Sequence, residues 1–291
     1  MALKNNTWKL NQWYDQSVAG NVSYSAPSGV NALFSWGYTR YGQINNNRGM
    51  DEEVSSPTQI TGSWSKVSSG KDDTAAIKTD GTLWLWGRNN YGQLGQNAIA
   101  SNPDYGISSP VQVPGTNWAE VQSAWNAILA KKTDGTLWTW GNGWGGASGQ
   151  NSSTLDRVSS PVQIGDSVAW NKINRTPNAA YAIKTDGTLW AWGSGSYGAT
   201  GQNNTTKYSS PVQIPGTTWS TAEYALGSGE TSGSALKTDG TLWAWGWNSN
   251  FGQLGQNNVT SYSSPVQIPG TWSLANVDLG ISYTSAGLIN T

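Results

Sequence analysis

Lys184-Thr185-Asp186-Gly187-Thr188-Leu189-Trp190-Ala191-Trp192-Gly193 decides the fold of this chain, because nearly the same ten residues stand at 78–87, 132–141 and 237–246. Each copy reads as the middle of an antiparallel sheet: the end of one strand, an Asp-Gly two-residue turn suited to positive φ, and a second strand alternating Leu with Trp. A worn fifth copy is Asn31-Ala32-Leu33-Phe34-Ser35-Trp36-Gly37.

Outward from these copies, four marks recur in fixed order and cut each unit into strands A to D. Strand A carries a tryptophan, at Trp8, Trp64, Trp118, Trp170, Trp219 and Trp272. Strand B is small and apolar, as in Thr74-Ala75-Ala76-Ile77, and strand C is the Leu-Trp-x-Trp-Gly segment. A loop such as Tyr91-Gly92-Gln93-Leu94-Gly95-Gln96 leads to strand D, exemplified by Ser109-Pro110-Val111-Gln112-Val113. The strand-C tryptophans recur about every 52 residues, the spacing of four-stranded propeller blades. Alternation puts Trp84 and Trp86 toward one neighbouring blade and Leu83 and Leu85 toward the other.

The expected fold is therefore an all-β propeller of four-stranded antiparallel blades in a single domain, residues 1–291. Five blades are complete. A partial sixth has strand A at 272–278 and strand B at 285–289 but no strand C. Met1-Ala2-Leu3-Lys4 stands in strand-D register before Trp8, so the N-terminal strand is expected to close the sixth blade; pairing of its open edge with another subunit is the alternative.

Composition narrows the chemistry. Charged residues make up 11% of the chain and the net charge is −1, which gives no basic field for a phosphate backbone; nucleic acid is not an expected partner. The absence of His and Cys removes imidazole catalysis, thiolate nucleophiles and Cys/His zinc sites. No cofactor or metal is expected, and the chain is read as non-enzymatic. Neither a signal peptide nor an apolar run of membrane-spanning length is present, so no membrane insertion is expected. The Asn, Gln, Ser, Thr and Gly-rich surface suggests a virion protein, with a cytoplasmic one as the alternative.

The order of marks resembles the regulator-of-chromosome-condensation family of propellers. The matching residues are Asp80-Gly81, Trp86-Gly87 and Gly92-Gln93-Leu94-Gly95, with Asp239-Gly240, Trp245-Gly246 and Gly252-Gln253-Leu254-Gly255 equally close. The family's Gly-x-x-His is replaced, its last position falling on Asp73, Ala127, Ala179, Ser232 and Thr284. The founding member has seven blades, and its nucleotide-exchange and chromatin activities are not carried over. Relatives include an inhibitor of β-lactamase, so the resemblance implies a scaffold for protein binding. The opening Asn6-Thr7-Trp8-Lys9-Leu10-Asn11-Gln12-Trp13-Tyr14 is similar to the starts of repeat proteins in tailed-phage genomes.

In an up-down blade the A–B and C–D loops share one face, and here they are the variable ones, where function concentrates. Of the 19 tryptophans, Trp13, Trp125, Trp144 and Trp247 stand outside the repeat. Trp125 occupies an A–B loop where other blades place Lys71, Pro177 and Glu230. Trp144 and Trp247 lie in C–D loops, with Tyr38 and Arg88 at related positions. These seven candidates, Trp125, Trp144, Trp247, Tyr38, Arg88, Lys71 and Glu230, suit a protein or glycan contact, since aromatic side chains form hot spots and stack on sugars. The Asp of each Asp-Gly is a turn former, and the Asp51-Glu52-Glu53 group beside Arg48 reads as a solvated loop. The expected function is a non-catalytic binding or structural propeller, as a capsid decoration or a tail protein recognising a host receptor. The alternatives are an intracellular partner-binding regulator and a lectin. Capsid or tail proteins and self-association complete the expected partners.

Overall fold

The computed structural model describes residues 31–44, 53–101, 106–152, 157–249, 251–272 and 280–281, which form an all-β propeller of four-stranded antiparallel blades. Strands C and D of unit 1 are β1 (Asn31–Tyr38) and the first half of the long β2 (Glu53–Ser69), whose second half is strand A of blade 2. Blade 2 continues through β3 (Asp73–Lys78), β4 (Leu83–Arg88) and β5 (Gly106–Gln112). Blade 3 is β6 (Trp118–Ala124), β7 (Ala127–Lys132), β8 (Leu137–Gly141) and β9 (Val158–Gln163). Blade 4 is β10 (Trp170–Arg175), β11 (Ala179–Lys184), β12 (Leu189–Gly193) and β13 (Tyr208–Ile214). Blade 5 is β14 (Leu226–Gly229), β15 (Ser232–Leu236), β16 (Leu242–Gly246) and β17 (Tyr262–Ile268). β18 (Gly280–Ile281) lies parallel to β14.

Four of the five expected complete blades are thus seen whole. Strands A and B of unit 1, and the proposed closure by residues 1–4, fall outside the described residues. So do Arg48, Asp51 and Glu52, and most of the sixth unit, including nearly all of its expected strand A at 272–278; of the rest of that unit only Gly280–Ile281 is described. In blade 5 strand A departs from its tryptophan. Trp219 makes a single bridge to Lys237, and β14 starts only at Leu226, after an intervening turn.

The turn of the repeated decapeptide is a three-residue loop rather than the two-residue one expected. Gly81 N–H donates to Lys78 O at 3.0 Å, and Lys78 N–H donates to Thr82 O at 2.9 Å. Only the glycine has positive φ, +79° at Gly81 and +77° at Gly187, which is a type I turn closed by a glycine bulge. Asp186 Oδ1 accepts the Thr188 N–H and hydroxyl at 3.0 and 2.6 Å, holding its carboxyl below the usual range. Trp190 Nε1–H donates to the Thr188 hydroxyl oxygen at 2.9 Å. The Lys184 ammonium sits 4.4 Å from the centroid of Trp190 and 4.8 Å from that of Trp170. Such a stack contributes about 0.5–1 kcal/mol at an exposed site, and it recurs at Lys78, Lys132 and Lys237.

The second tryptophan of each copy joins blades. Trp86, Trp140, Trp192 and Trp245 are fully buried. Each donates Nε1–H to a carbonyl in the C–D loop of the preceding unit: Gln43, Gln93, Ala147 and Ala199, at 2.8, 2.8, 3.2 and 2.9 Å. The Leu side of each blade closes the next joint. Leu83 and Leu85 pack with Trp118, Val121 and Trp140.

The joints are not identical. At the second, the Gln93 side chain donates to Asn126 Oδ1 at 3.1 Å. At the next two, Ala147 and Ala199 stand in the place of that glutamine, and the same carbonyls take a second donor from blade 4. Arg175 donates to Ala147 O and the Tyr181 hydroxyl to Ala199 O, both at 2.7 Å.

The Trp-Gly glycine ends strand C because the chain must turn beside the A–B link. Gly193 has φ +108°, and a Cβ there would be driven into Asn178 O. Gly193→Ala is expected to cost about 2 kcal/mol or more, read as a lowered midpoint in urea with an unchanged slope.

Candidate interaction face

The A–B links and the starts of the C–D loops emerge together. Arg88, Asn142, Ser194 and Trp247 donate backbone N–H groups to the carbonyls of Asp72, Asn126, Asn178 and Thr231 in the A–B links. On the opposite face, Thr79, Thr133, Thr185 and Thr238 of the B–C turns donate to Ser63, Asn117, Ala169 and Thr218 in the D–A links. Each face is thus tied at its root by one repeated backbone bond, and the faces differ in the loops that rise beyond it.

Among the described residues, adjoining cavities open on the loop face. A funnel of about 410 Å³ at the channel mouth is lined by Lys71, Trp125, Arg175 and Glu230, among others. Beside it a second cavity, about 430 Å³, is lined by Tyr91, Trp144 and Arg157. Trp125 and Pro177 line both. At the other end of the channel a third cavity, about 470 Å³, holds Lys66, Glu120, Lys131, Lys172 and Glu223. There the Lys66–Glu223 ion pair ties blade 2 to blade 5 across the axis, raising the lysine pKa and lowering the glutamate's. Both partners are well exposed, so the pair is worth at most about 1 kcal/mol.

Trp125 is the most unusual residue of the loop face. It is the first residue of the two-residue link between β6 and β7, has φ +53°, and is 45% exposed. Among the described residues, positive φ outside glycine belongs to five asparagines, Trp125 and Tyr197. A bulky side chain in that region costs about 1 kcal/mol or more and persists only where its surroundings enforce it. Here Asn126, buried and bonded to Gln93, fixes the link from behind. Lys71 of blade 2 lies over the Trp125 ring at 4.9 Å.

Of the seven candidates read from the sequence, Lys71, Trp125 and Glu230 meet at the funnel, and Trp144 lies in the adjoining cavity. Trp247 is apart from both. It packs against Tyr197 at 6.1 Å and Phe251 at 5.6 Å between centroids, forming an aromatic group whose two outer members are exposed. Arg88 is spent on the fold: its guanidinium pairs with Asp72 at 3.1 Å and covers the Tyr41 ring at 4.5 Å. Tyr38 is exposed at the end of β1 and lines neither cavity.

Several residues of this face were not singled out. Tyr91, Tyr197 and Phe251 occupy one slot of the repeat and so read as scaffold. Arg157, over the Tyr91 ring at 5.2 Å, and Arg175 carry no local motif. Arg175 is buried without a carboxylate partner, bonded to Ala147 O and Asn142 O, and desolvation lowers its pKa to about 10, so it stays charged at neutral pH. Asp73 is also buried. Its Oδ1 accepts the Ser123 hydroxyl of blade 3 while Oδ2 has no partner, and burial pushes the carboxyl up to about 8. Among the described residues no group of three His, Cys, Asp or Glu is arranged to hold a metal.

Known proteins share this sequence pattern and this fold. A profile described as Regulator of chromosome condensation (RCC1) repeat matches residues 80–126, 186–231 and 239–286, and a second of the same description matches residues 64–93. The E3 ubiquitin-protein ligase HERC2 of Homo sapiens is 25% identical over 260 residues, which is 85% of this chain and 5% of HERC2. The structure of human WBSCR16 aligns with TM-score 0.70 and 22% identity over 82% of this chain and 63% of its own. Prp20p of Saccharomyces cerevisiae, studied with its binding properties to Gsp1p and histones, aligns with TM-score 0.67 and 16% identity over 82% of this chain and 59% of its own. The chain thus spans a small part of HERC2 and about three fifths of the two solved chains. With the repeat matched over more than half of its sequence, this chain belongs to the regulator of chromosome condensation (RCC1) repeat family.

Proposed function

We propose that this propeller is a non-catalytic binding protein that recognises a protein partner with its loop face. Trp125 carries the reading. The blade-joining Trp86, Trp140, Trp192 and Trp245 are buried, whereas this one is held exposed, in an unfavourable backbone conformation, where two cavities meet. Backbone strain gathers at functional sites and Trp is favoured at interface hot spots, and Trp125, unlike the similarly strained and exposed Tyr197, lines both cavities. The relatives support a protein partner: Prp20p is described with Gsp1p and histones, and in a complex with Kap60. They favour the partner-binding regulator over the virion and glycan readings. HERC2 is named a ligase, but this chain corresponds to 5% of it, and the propeller brings no His or Cys for such chemistry.

Affinity capture with the intact chain, quantified by mass spectrometry, tests the proposal against a variant carrying Trp125→Ala, Trp144→Ala and Trp247→Ala. The partner is expected to be recovered at least tenfold less with the variant. A partner that binds the variant equally well, and is lost instead on changing the B–C turns, would overturn it.

A further inference from the structure

The two cavities of the loop face are halves of one groove. Trp125 and Pro177 line both, forming a saddle between them. From the channel axis the groove runs past Lys71 and Glu230, over the saddle, and out to Trp144 and the Arg157–Tyr91 stack. At about 410 and 430 Å³ its two halves accept the side chains of a short extended segment rather than a folded domain.

The charge of this groove runs against that of the chain. Among the described residues Lys71, Arg175 and Arg157 line it against Glu230, on a protein of net charge −1. The two described acids of the link after strand A of blade 2 do not cancel the excess. Asp72 is paired with Arg88, and Asp73, next to the funnel wall at Gly70 and Ser123, keeps its proton at neutral pH. The cations are also spaced along the groove, with Lys71 on the axial side of Trp125 and Arg157 in the outer half. Each stands over an aromatic ring, Lys71 over Trp125 and Arg157 over Tyr91, which holds the charge in place without neutralising it.

We propose that this groove binds an extended acidic peptide segment of a protein partner, its carboxylates paired with Lys71 and Arg157 and an apolar or proline side chain laid on Trp125. The inference rests on the reading of the loop face as a protein-binding surface. Complementary charge sets specificity and encounter rate, while the desolvated aromatic supplies much of the affinity. Extended peptides that meet an aromatic floor between charged ends need little ordering of the receptor, and the groove is already formed here.

The test is selection of random dodecapeptides displayed on phage against the immobilised intact chain, followed by fluorescence polarisation with the enriched peptides. Enrichment of Asp and Glu together with Pro or aromatic residues is expected. Lys71→Glu and Arg157→Glu, both at exposed positions, should each weaken binding at least tenfold, and Lys71→Ala about threefold. Raising the salt from 50 to 300 mM should weaken it severalfold, since exposed ion pairs are screened within about 10 Å at 0.1 M. Tyr197→Ala and Phe251→Ala should leave the affinity unchanged. The groove assignment falls if no peptide is enriched, if the enriched peptides lack an acidic excess, or if neither charge reversal moves the affinity. Peptides that respond to Tyr197 and Phe251 instead would remove the groove and leave the loop face standing. A captured partner indifferent to the triple tryptophan variant would remove the loop face itself.

Discussion

Trp192→Ala should lower the unfolding free energy by about 3–5 kcal/mol, the cost of truncating a fully buried aromatic that cannot be replaced by collapse of its surroundings. The indole lies between blades 3 and 4, packed on Leu129, Leu137, Ile164 and Trp170, with the Trp170 ring centroid at 6.4 Å. Gly149 leaves room for it: a Cβ there would stand 2.8 Å from Trp192 Nε1. Truncation therefore opens a cavity shared by two blades and leaves one donor fewer at Ala147 O, which retains only Arg175. A control comes from the same position of the repeat in unit 1. Trp36 is 62% exposed, so Trp36→Ala should cost less than about 1 kcal/mol. Urea unfolding followed by circular dichroism separates the two, and equal losses at both positions would show that the joint is not where the stability lies.

The second large effect is a pH dependence centred on Asp73. In the folded chain the carboxyl holds its proton up to about pH 8; in the unfolded chain it releases it near 3.8. The folded state therefore binds more protons throughout that window, and stability falls as pH rises from about 4 to about 8 before levelling off. The cause is burial: Ser123 supplies one hydrogen bond, too little to replace the water lost by a carboxylate whose other oxygen has no partner. Asp73→Asn imitates the protonated acid in size and keeps an acceptor for Ser123. Thermal melts at pH 5 and pH 9 should show the wild-type chain losing more stability than the variant, with the variant the more stable at pH 9. Parallel losses in the two proteins would assign the pH dependence elsewhere.

The blades were legible in the sequence because each strand leaves a periodic trace: Trp and Leu alternate along strand C, and the glycine after the second Trp stands where the chain must turn. The loop between strands B and C was misjudged because Lys-Thr-Asp-Gly-Thr permits closure over two or three residues, and only the backbone hydrogen bonds distinguish them. Trp125 stood out by interrupting the repeat. Its φ, and its shared position with Pro177 between two cavities, depend on blades 2 and 4 and leave no local trace. Tyr197 and Phe251 were hidden for the opposite reason, since they fill the slot of Tyr91 and look like scaffold. The neutral Asp73 was equally hidden, because it is buried at the joint with the next blade, where its hydrogen-bond partner Ser123 stands fifty residues away.

The glutamine that gives way to alanine at Ala147 and Ala199 has a consequence for how the blades are ordered. Gln93 fills its own joint, whereas Ala147 and Ala199 leave space and an acceptor that Arg175 and Tyr181, both from blade 4, fill. The joint at Ala147 works as lock and key, cut for the arginine of the next blade, while Tyr181 fills the one at Ala199 from within its own blade. Exchanging the loop of blade 3 for that of blade 2 would set a glutamine side chain against the Arg175 guanidinium. Placing blade 2 after blade 3 would leave Ala147 O without its arginine. Repeats that look interchangeable in the sequence thus carry an address at the junction of blades 3 and 4, where only a blade that brings an arginine in the place of Arg175 completes the joint.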